Sequence, residues 1–307
     1  MSTEPSLFWT ELAAEHQRDL ERFGFEGIKR HQALRYFTFQ WVWTLAPRDQ
    51  QIRFLMRNTK PATWLRSASE SIDLSDEAWE GIPWPKRSRW LYVWVTRLLD
   101  DYARRAVSFD IRALQEPKAG NPLPAYRNGR LISQDVSNSA LEVNAMMEAL
   151  NGRQPSSILE IGAGYGRLAY ALLTLFPNAT YTIIDIQPTR SISQWYLSQL
   201  FDPERLTFLS PEEASSLDPG SFDLGLSVSS LGEMTEAQID GYLRLLDTVV
   251  AGGGTVYLKQ LESWINAADG VDAAFAKYDF PARWQRRYWR PAPVQTMFQE
   301  AAWTIPE

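Results

Sequence analysis

Apolar residues in the first third of the chain recur at helical spacing. Leu7, Phe8, Leu12 and Leu20 share one side of an early helix. After the punctuation Pro83-Trp84-Pro85, residues Trp90, Leu91, Trp94, Val95, Leu98, Leu99 and Tyr102 form the i, i+3, i+4 stripe of a helix packed on one face. Tryptophan is dense here, at Trp9, Trp41, Trp43, Trp64, Trp79, Trp84, Trp90 and Trp94. Core packing is the plain expectation for these rings, and the lining of a ligand pocket or a contact between two copies the sharper one. Pro117, Gly120, Asn121, Pro122 and Pro124 then cluster without periodicity, which predicts a helical domain over 1–120 and a second domain over 121–307.

In the second domain a helix is expected over 136–150, and beyond Ser157 short apolar runs alternate with helical segments. That alternation predicts an α/β fold with a parallel sheet. Strands are expected at Ile158–Ile161, Tyr181–Asp185, Leu206–Leu209, Phe222–Leu226 and Thr255–Leu258, with helices at Tyr165–Leu175, Ser191–Leu200 and Glu236–Val249. The segment from Trp284 has room for one more strand, a short helix at Val294–Ala301 and a last strand at Trp303–Ile305. An antiparallel pair there completes a seven-stranded sheet.

The first of these strands runs into Ile158-Leu-Glu-Ile-Gly-Ala-Gly-Tyr-Gly-Arg167. Glycines are needed where a ligand approaches the backbone so closely that a Cβ would take its place. The spacing of Gly162, Gly164 and Gly166 is G-x-G-x-G, with Arg167 where a dinucleotide fingerprint has its last glycine, so a pyrophosphate ligand is disfavoured. Asp185, at the tip of the second strand, is placed to accept both hydroxyls of a ribose. Glu160 stands beside the loop to orient a cationic amine of the cofactor, and Glu212, after the third strand, is a candidate for the edge of an adenine pocket.

Composition narrows the partners. With 307 residues, 45% hydrophobic, and a formal charge of -6, the chain has the size for a large core and lacks the basic surface of a nucleic-acid binder. It has no cysteine and two histidines, His16 and His31, so thiol catalysis and cysteine-held zinc are excluded and no ligand spacing calls for a metal. The polar start Met1-Ser2-Thr3-Glu4 and the lack of a long apolar run predict neither a secretory signal nor a membrane span, hence a cytoplasmic protein.

The strand, glycine loop and acid resemble the class I S-adenosylmethionine methyltransferases over about half the chain, from Ser157 on. The resemblance implies a seven-stranded doubly wound, Rossmann-like methyltransferase sheet and S-adenosyl-L-methionine as cofactor, with S-adenosyl-L-homocysteine as product. A narrower likeness, to a bacterial sugar O-methyltransferase family, rests on the same loop with Ile184-Asp-Ile-Gln-Pro188, Ser229-Ser-Leu-Gly-Glu-Met234, Tyr257-Leu-Lys-Gln260, Trp284 through Phe298-Gln-Glu300, and the lead-in Gly129 to Asn138. Gly232 and Gln187 depart from its pattern. It implies a hydroxyl of a sugar or glycosylated natural product as the acceptor.

A hydroxyl acceptor must lose a proton, and a positioned base supplies roughly 10²–10⁴-fold. Glu233, after the fourth strand at the carboxyl edge of the sheet, is the leading candidate, with Asp135 and His31 behind it; Glu233 as a helix N-terminal acid is the plain alternative. Lys259 and Gln260, ending the fifth strand, are candidates for holding acceptor hydroxyls, and Arg287 and Arg290 for an acidic group. Asp135, Glu233 and Glu262 are the carboxylates available should a divalent metal assist. The helical domain is expected to close over the acceptor or to pair two subunits. Three other readings stand beside this one: a peptide carboxylate or other natural-product oxygen as acceptor, a non-catalytic scaffold, and a nicotinamide-dependent oxidoreductase.

Overall fold

The computed structural model describes residues 6–30 and 48–307. They form two compact units. One comprises Arg18–Asn144; the other joins Ala145–Glu307 with the first residues up to Gln17. Composition marks a boundary near residue 120, whereas packing divides the chain inside a helix, between Asn144 and Ala145.

The elements of the helical part are α1 (Leu7–Phe23), α2 (Arg48–Asn58), α3 (Pro61–Ser69) and α4 (Lys86–Ala106). A small hairpin follows, β1 (Tyr126–Arg127) and β2 (Arg130–Leu131), and then α5 (Gln134–Leu150). α4 starts directly after Pro85, whose fixed φ suits a helix entrance. Its stripe is wider than the period suggests: Val95, Leu98 and Leu99 are buried, and so are Tyr92 and Val93 on the neighbouring side. Trp79 packs there with Ile82, Tyr92, Val93, Leu123 and Ile132, which is the core role expected of it. Trp90 and Trp94 are half-buried and stack on each other at 6.0 Å. Trp41, Trp43 and His31 lie outside the described residues.

The second unit is an α/β sheet. Its elements are β3 (Ser157–Ile161), α6 (Arg167–Leu175), β4 (Thr180–Ile184), α7 (Thr189–Ser198), β5 (Leu206–Leu209), β6 (Phe222–Val228), α8 (Glu236–Val249) and β7 (Val250–Leu261). A short pair, β8 (Ile265–Asn266) and β9 (Val271–Asp272), precedes β10 (Gln285–Pro291) and β11 (Phe298–Thr304). The seven-stranded sheet has the order β10-β11-β7-β6-β3-β4-β5, parallel from β5 through β7 and antiparallel at β11 and β10. This is the doubly wound methyltransferase-type sheet. α8 opens with a capping box in which Thr235 and Gln238 satisfy each other's backbone N–H groups.

One expected element is absent. Val294–Ala301 is not a helix: Phe298–Thr304 forms β11, paired with β7 from Phe298 opposite Leu261 to Thr304 opposite Thr255. β11 lies between two strands and is buried on both faces, so Phe298, Ala301 and Trp303 give no clean alternation. A cluster of rings seals this end of the sheet, with Phe275 stacked on Trp289 at 4.5 Å and Phe280 on Trp303 at 4.8 Å. The order of connections reverses between β3 and β6, and in open α/β sheets ligands bind at the carboxyl end of such a switch.

Candidate active site

The glycine loop begins at that switch. Ile161 ends β3 with its carbonyl accepting from the Ser227 hydroxyl of β6 at 2.9 Å, and the Gly162 N–H donates to the Ile184 carbonyl of β4 at 2.9 Å. The loop is therefore tied to both neighbours. Gly162, Gly164 and Gly166 have φ of 72°, 59° and 92°, a region that penalises any side chain. A Cβ on Gly162 would lie 1.9 Å from the Ser230 hydroxyl, so this glycine is also required by packing. Gly166 then caps α6.

Asp185 follows β4, 8% exposed. Its Oδ1 accepts from the Ile186 N–H at 2.8 Å, and its Oδ2 is buried without a hydrogen-bond partner. Burial pushes its pKa up to about 7, although the N–H groups of Ile186, Gly164 and Ala163 and the charge of Arg190 favour the carboxylate. A buried carboxylate oxygen left unsatisfied beside a glycine-rich turn suits the hydroxyls of a nucleoside, so the residues present fit an adenosyl cofactor. Glu160 is buried in β3 and accepts from the Tyr181 hydroxyl at 2.7 Å. Glu212 is exposed just beyond β5.

Across the switch, β6 ends in strained and buried polar backbone. Ser229 has φ 59°, its hydroxyl has no partner, and its N–H donates to the Lys259 carbonyl at 2.8 Å. A short 3-10 turn over Leu231–Glu233 brings Glu233 to 8% exposure. Burial raises the Glu233 pKa well above the ordinary value, against a hydrogen bond from the Trp9 side chain. The Glu233 carbonyl accepts from the Ser6 hydroxyl at 2.8 Å and from Asn266 at 3.4 Å. Asp269 anchors the same segment by accepting from the Leu7 and Phe8 N–H groups, the first turn of α1, at 2.9 and 3.2 Å.

Beside Glu233, Gly232 is a gap with polar walls. A Cβ there would sit 3.5 Å from Trp264 Cδ1, 3.8 Å from the Tyr278 hydroxyl and 3.9 Å from Gln260 Oε1. The Gln260 Oε1 accepts from the Gly232 N–H at 3.4 Å, while Gln260 Nε2, Trp264 Nε1 and the Tyr278 hydroxyl are buried without partners. Three unmet polar groups around one missing side chain form a niche that a ligand's oxygens would satisfy. Trp264 and Tyr278 come from the irregular stretch between β7 and β10, which offers no periodic signal in the sequence. Ser229 and Ser230 lie in a motif that the sequence does mark.

The remaining candidates are spread out. Lys259 and Gln260 are consecutive in β7 and so face opposite ways; Lys259 donates to Gln295 Oε1 at 2.5 Å and lies 5.4 Å from the Phe298 ring centre. Arg287 is exposed on edge strand β10, and Arg290 is engaged by Glu148 and Glu300, each at 2.8 Å. Asp135 is buried in the first turn of α5, in the helical unit near Tyr92, whose phenol pKa it helps to raise. Among the described residues, no group of three or more histidine, aspartate or glutamate side chains is gathered to hold a metal ion. No helix among them is long and apolar enough to cross a membrane.

Residues 159–256 match the family model described as a methyltransferase domain, a span that includes the loop, Asp185 and Glu233. No curated protein sequence matches the chain. Among solved structures, a 1,6-didemethyltoxoflavin-N1-methyltransferase of Burkholderia thailandensis is 20% identical with a TM-score of 0.41, covering 53% of this chain and 76% of its own. A Galdieria sulphuraria protein described as a sarcosine dimethylglycine methyltransferase is 18% identical with a TM-score of 0.35; the match covers 41% of this chain and 45% of that one, less than half its length. Human N-acetylserotonin methyltransferase is 12% identical with a TM-score of 0.36, covering 57% of each chain. The chain thus carries a methyltransferase domain over residues 159–256, set in a seven-stranded Rossmann-like sheet. Within that domain the glycine loop and Asp185 fit S-adenosylmethionine as cofactor.

Proposed function

We propose that the protein transfers the methyl group to an oxygen of a small acceptor, a sugar or glycosylated molecule. The observation that carries this reading is the niche at Gly232, where Gln260 Nε2, Trp264 Nε1 and the Tyr278 hydroxyl stand buried and unpartnered next to Glu233. An acceptor with several oxygens supplies what such donors lack. When bound, the cofactor supplies an electrophilic methyl on sulfonium, and transfer is an in-line displacement governed by positioning.

The chain's own residues then divide the work. Gly162, Gly164 and Gly166 leave room at the backbone, and Asp185 Oδ2 takes the ribose hydroxyls. Gln260, Trp264 and Tyr278 hold the acceptor, and the Glu233 carboxylate takes the proton of the reacting hydroxyl. Burial favours the neutral form of Glu233, so the rate should rise with pH as that acid ionises. The same burial supports a second reading, a carboxylate acceptor, which needs no base and would be met by the same donors.

The test has two stages. S-adenosylhomocysteine is titrated calorimetrically into the protein, with Asp185→Ala and NADH alongside; binding that the variant loses and NADH does not share supports the cofactor site. Labelled S-adenosylmethionine is then offered with glycosides and with free sugar acids. A gain of one methyl on a glycoside hydroxyl supports the first reading, methyl ester formation the second, and no cofactor binding would overturn both.

A further inference from the structure

The helical unit contains a cavity of about 490 Å³ with a wall of charged side chains. Two like-charged pairs make its floor. α4 presents Asp100 and Asp101 in succession, and the β1–β2 turn, with Asn128 and Gly129 at φ 51° and 76°, sets Arg127 and Arg130 opposite each other. Like charges facing across a hairpin repel, as do neighbouring carboxylates that are each 2% exposed. The pairs relieve one another. Arg127 Nη2 donates to Asp101 Oδ2 and its Nη1 to Glu70 at 2.8 Å, while Arg130 donates to Asp100 Oδ1 at 2.5 Å and to the Leu114 carbonyl at 2.9 Å.

That square of charges is already balanced, yet the cavity gathers more cations. Arg66 from α3 and Arg104 from α4 both aim Nη2 at Asp101 Oδ1, at 3.2 and 3.3 Å, long for charge-assisted bonds. Their side chains are 54% and 49% exposed, so their forks are within reach of solvent. Asp101 thus receives three guanidiniums, and Arg112, also in the lining, is forked onto Asp110. Five arginines against three aspartates leave the lining with two surplus positive charges. Glu70, behind the wall, is matched by Arg97 at 3.4 Å. Burial raises the Asp100 pKa, against the pull of the Arg130 guanidinium.

We propose that this cavity binds a phosphoryl group, held chiefly by Arg66 and Arg104 above the Asp101–Arg127 pair. Guanidinium forks match phosphate oxygens two at a time, and a phosphate monoester carries about -1.5 to -2 charges at neutral pH, the size of the surplus. Ligand sites of about 300–1,000 Å³ take whole small molecules, so the space admits the organic part of a phosphate ester or a free diphosphate.

Pyrophosphate, inorganic phosphate and glucose 1-phosphate are each titrated into the full chain by calorimetry in phosphate-free buffer. At least one is expected to bind saturably, and the double variant Arg66→Ala/Arg104→Ala to weaken it by at least about tenfold, as for lost hydrogen bonds to a charged group. Glucose 1-phosphate binding tighter than pyrophosphate identifies an ester, and the reverse order a free diphosphate. S-adenosylhomocysteine binding, unchanged within about twofold, certifies the fold of the variant and tests the methyltransferase site separately; Arg104→Gln alone serves if the double variant does not fold. Failure of all three anions to bind, or equal affinity in wild type and variant, overturns the proposal.

Discussion

Asp185 should couple both stability and cofactor affinity to pH, and Asp185→Asn isolates that coupling. The side chain is buried, with a pKa near 7 against an ordinary value of 3.8. That rise corresponds to about 4 kcal/mol between its protonation states. Because the folded value is raised, the stability contribution is complete below about pH 3.8 and is lost as pH rises to about 7. The cofactor-free wild type should therefore lose up to about 4 kcal/mol across that window, a slope missing from the asparagine variant. Cofactor binding has the opposite sign. If the carboxylate is the form that takes the ribose hydroxyls, its fraction grows about tenfold from pH 6 to pH 8, and S-adenosylhomocysteine affinity should grow with it. At pH 8 the variant should bind about 1–3 kcal/mol more weakly, the worth of hydrogen bonds to a charged group, and without pH dependence. Calorimetry at pH 6, 7 and 8, with urea unfolding at the same values, measures both effects. A variant that binds within twofold of wild type at pH 8, or keeps the wild-type slope, refutes the role given to Asp185.

Gly162→Ala should destabilise the fold by about 2–4 kcal/mol in urea unfolding and abolish cofactor binding, since its Cβ meets the Ser230 hydroxyl at 1.9 Å on a left-handed backbone. Glu233→Gln should slow transfer to a hydroxyl by about 10²–10⁴-fold with cofactor affinity within twofold, whereas an unchanged rate in single-turnover assays would mean a carboxylate acceptor. Gly232→Ser places a hydroxyl among Gln260, Trp264 and Tyr278 and should stabilise the chain by about 1 kcal/mol while lowering acceptor kcat/KM at least tenfold; a lower Tm would show that these groups are already satisfied.

The sheet was legible wherever a strand and its helix were contiguous in sequence. Leu206–Leu209 and Glu236–Val249 have the expected limits, and β3, β4 and β6 differ by one or two residues at their ends. Errors occur where tertiary pairing overrides the local pattern. β7 extends back to Val250, ahead of the expected start at Thr255, because β6 pairs with it there, Phe222 opposite Val250. β11 replaces an expected helix for a related reason: a strand buried on both faces has no period of two. In the helical unit α4 buries neighbouring sides, so Tyr92 and Val93 escaped the single stripe.

The two halves of the candidate site differed in legibility for a physical reason. The cofactor side is a local device, a turn whose glycines have positive φ and whose acid ends the next strand, so its residues lie within one short stretch, Gly162 to Asp185. The acceptor side is assembled from afar: Trp9 and Ser6 come from the chain's start onto Glu233, and Trp264 and Tyr278 come from an irregular segment onto Gly232. Its defining feature is the absence of a side chain at Gly232, which no local rule distinguishes from an ordinary turn glycine. Its backbone is not left-handed and a Cβ would meet only ordinary contacts, so neither conformation nor crowding requires glycine there. What remains is the unmet hydrogen bonding of three buried groups, and that tertiary feature, invisible to any local rule, is the observation on which the proposed acceptor site rests.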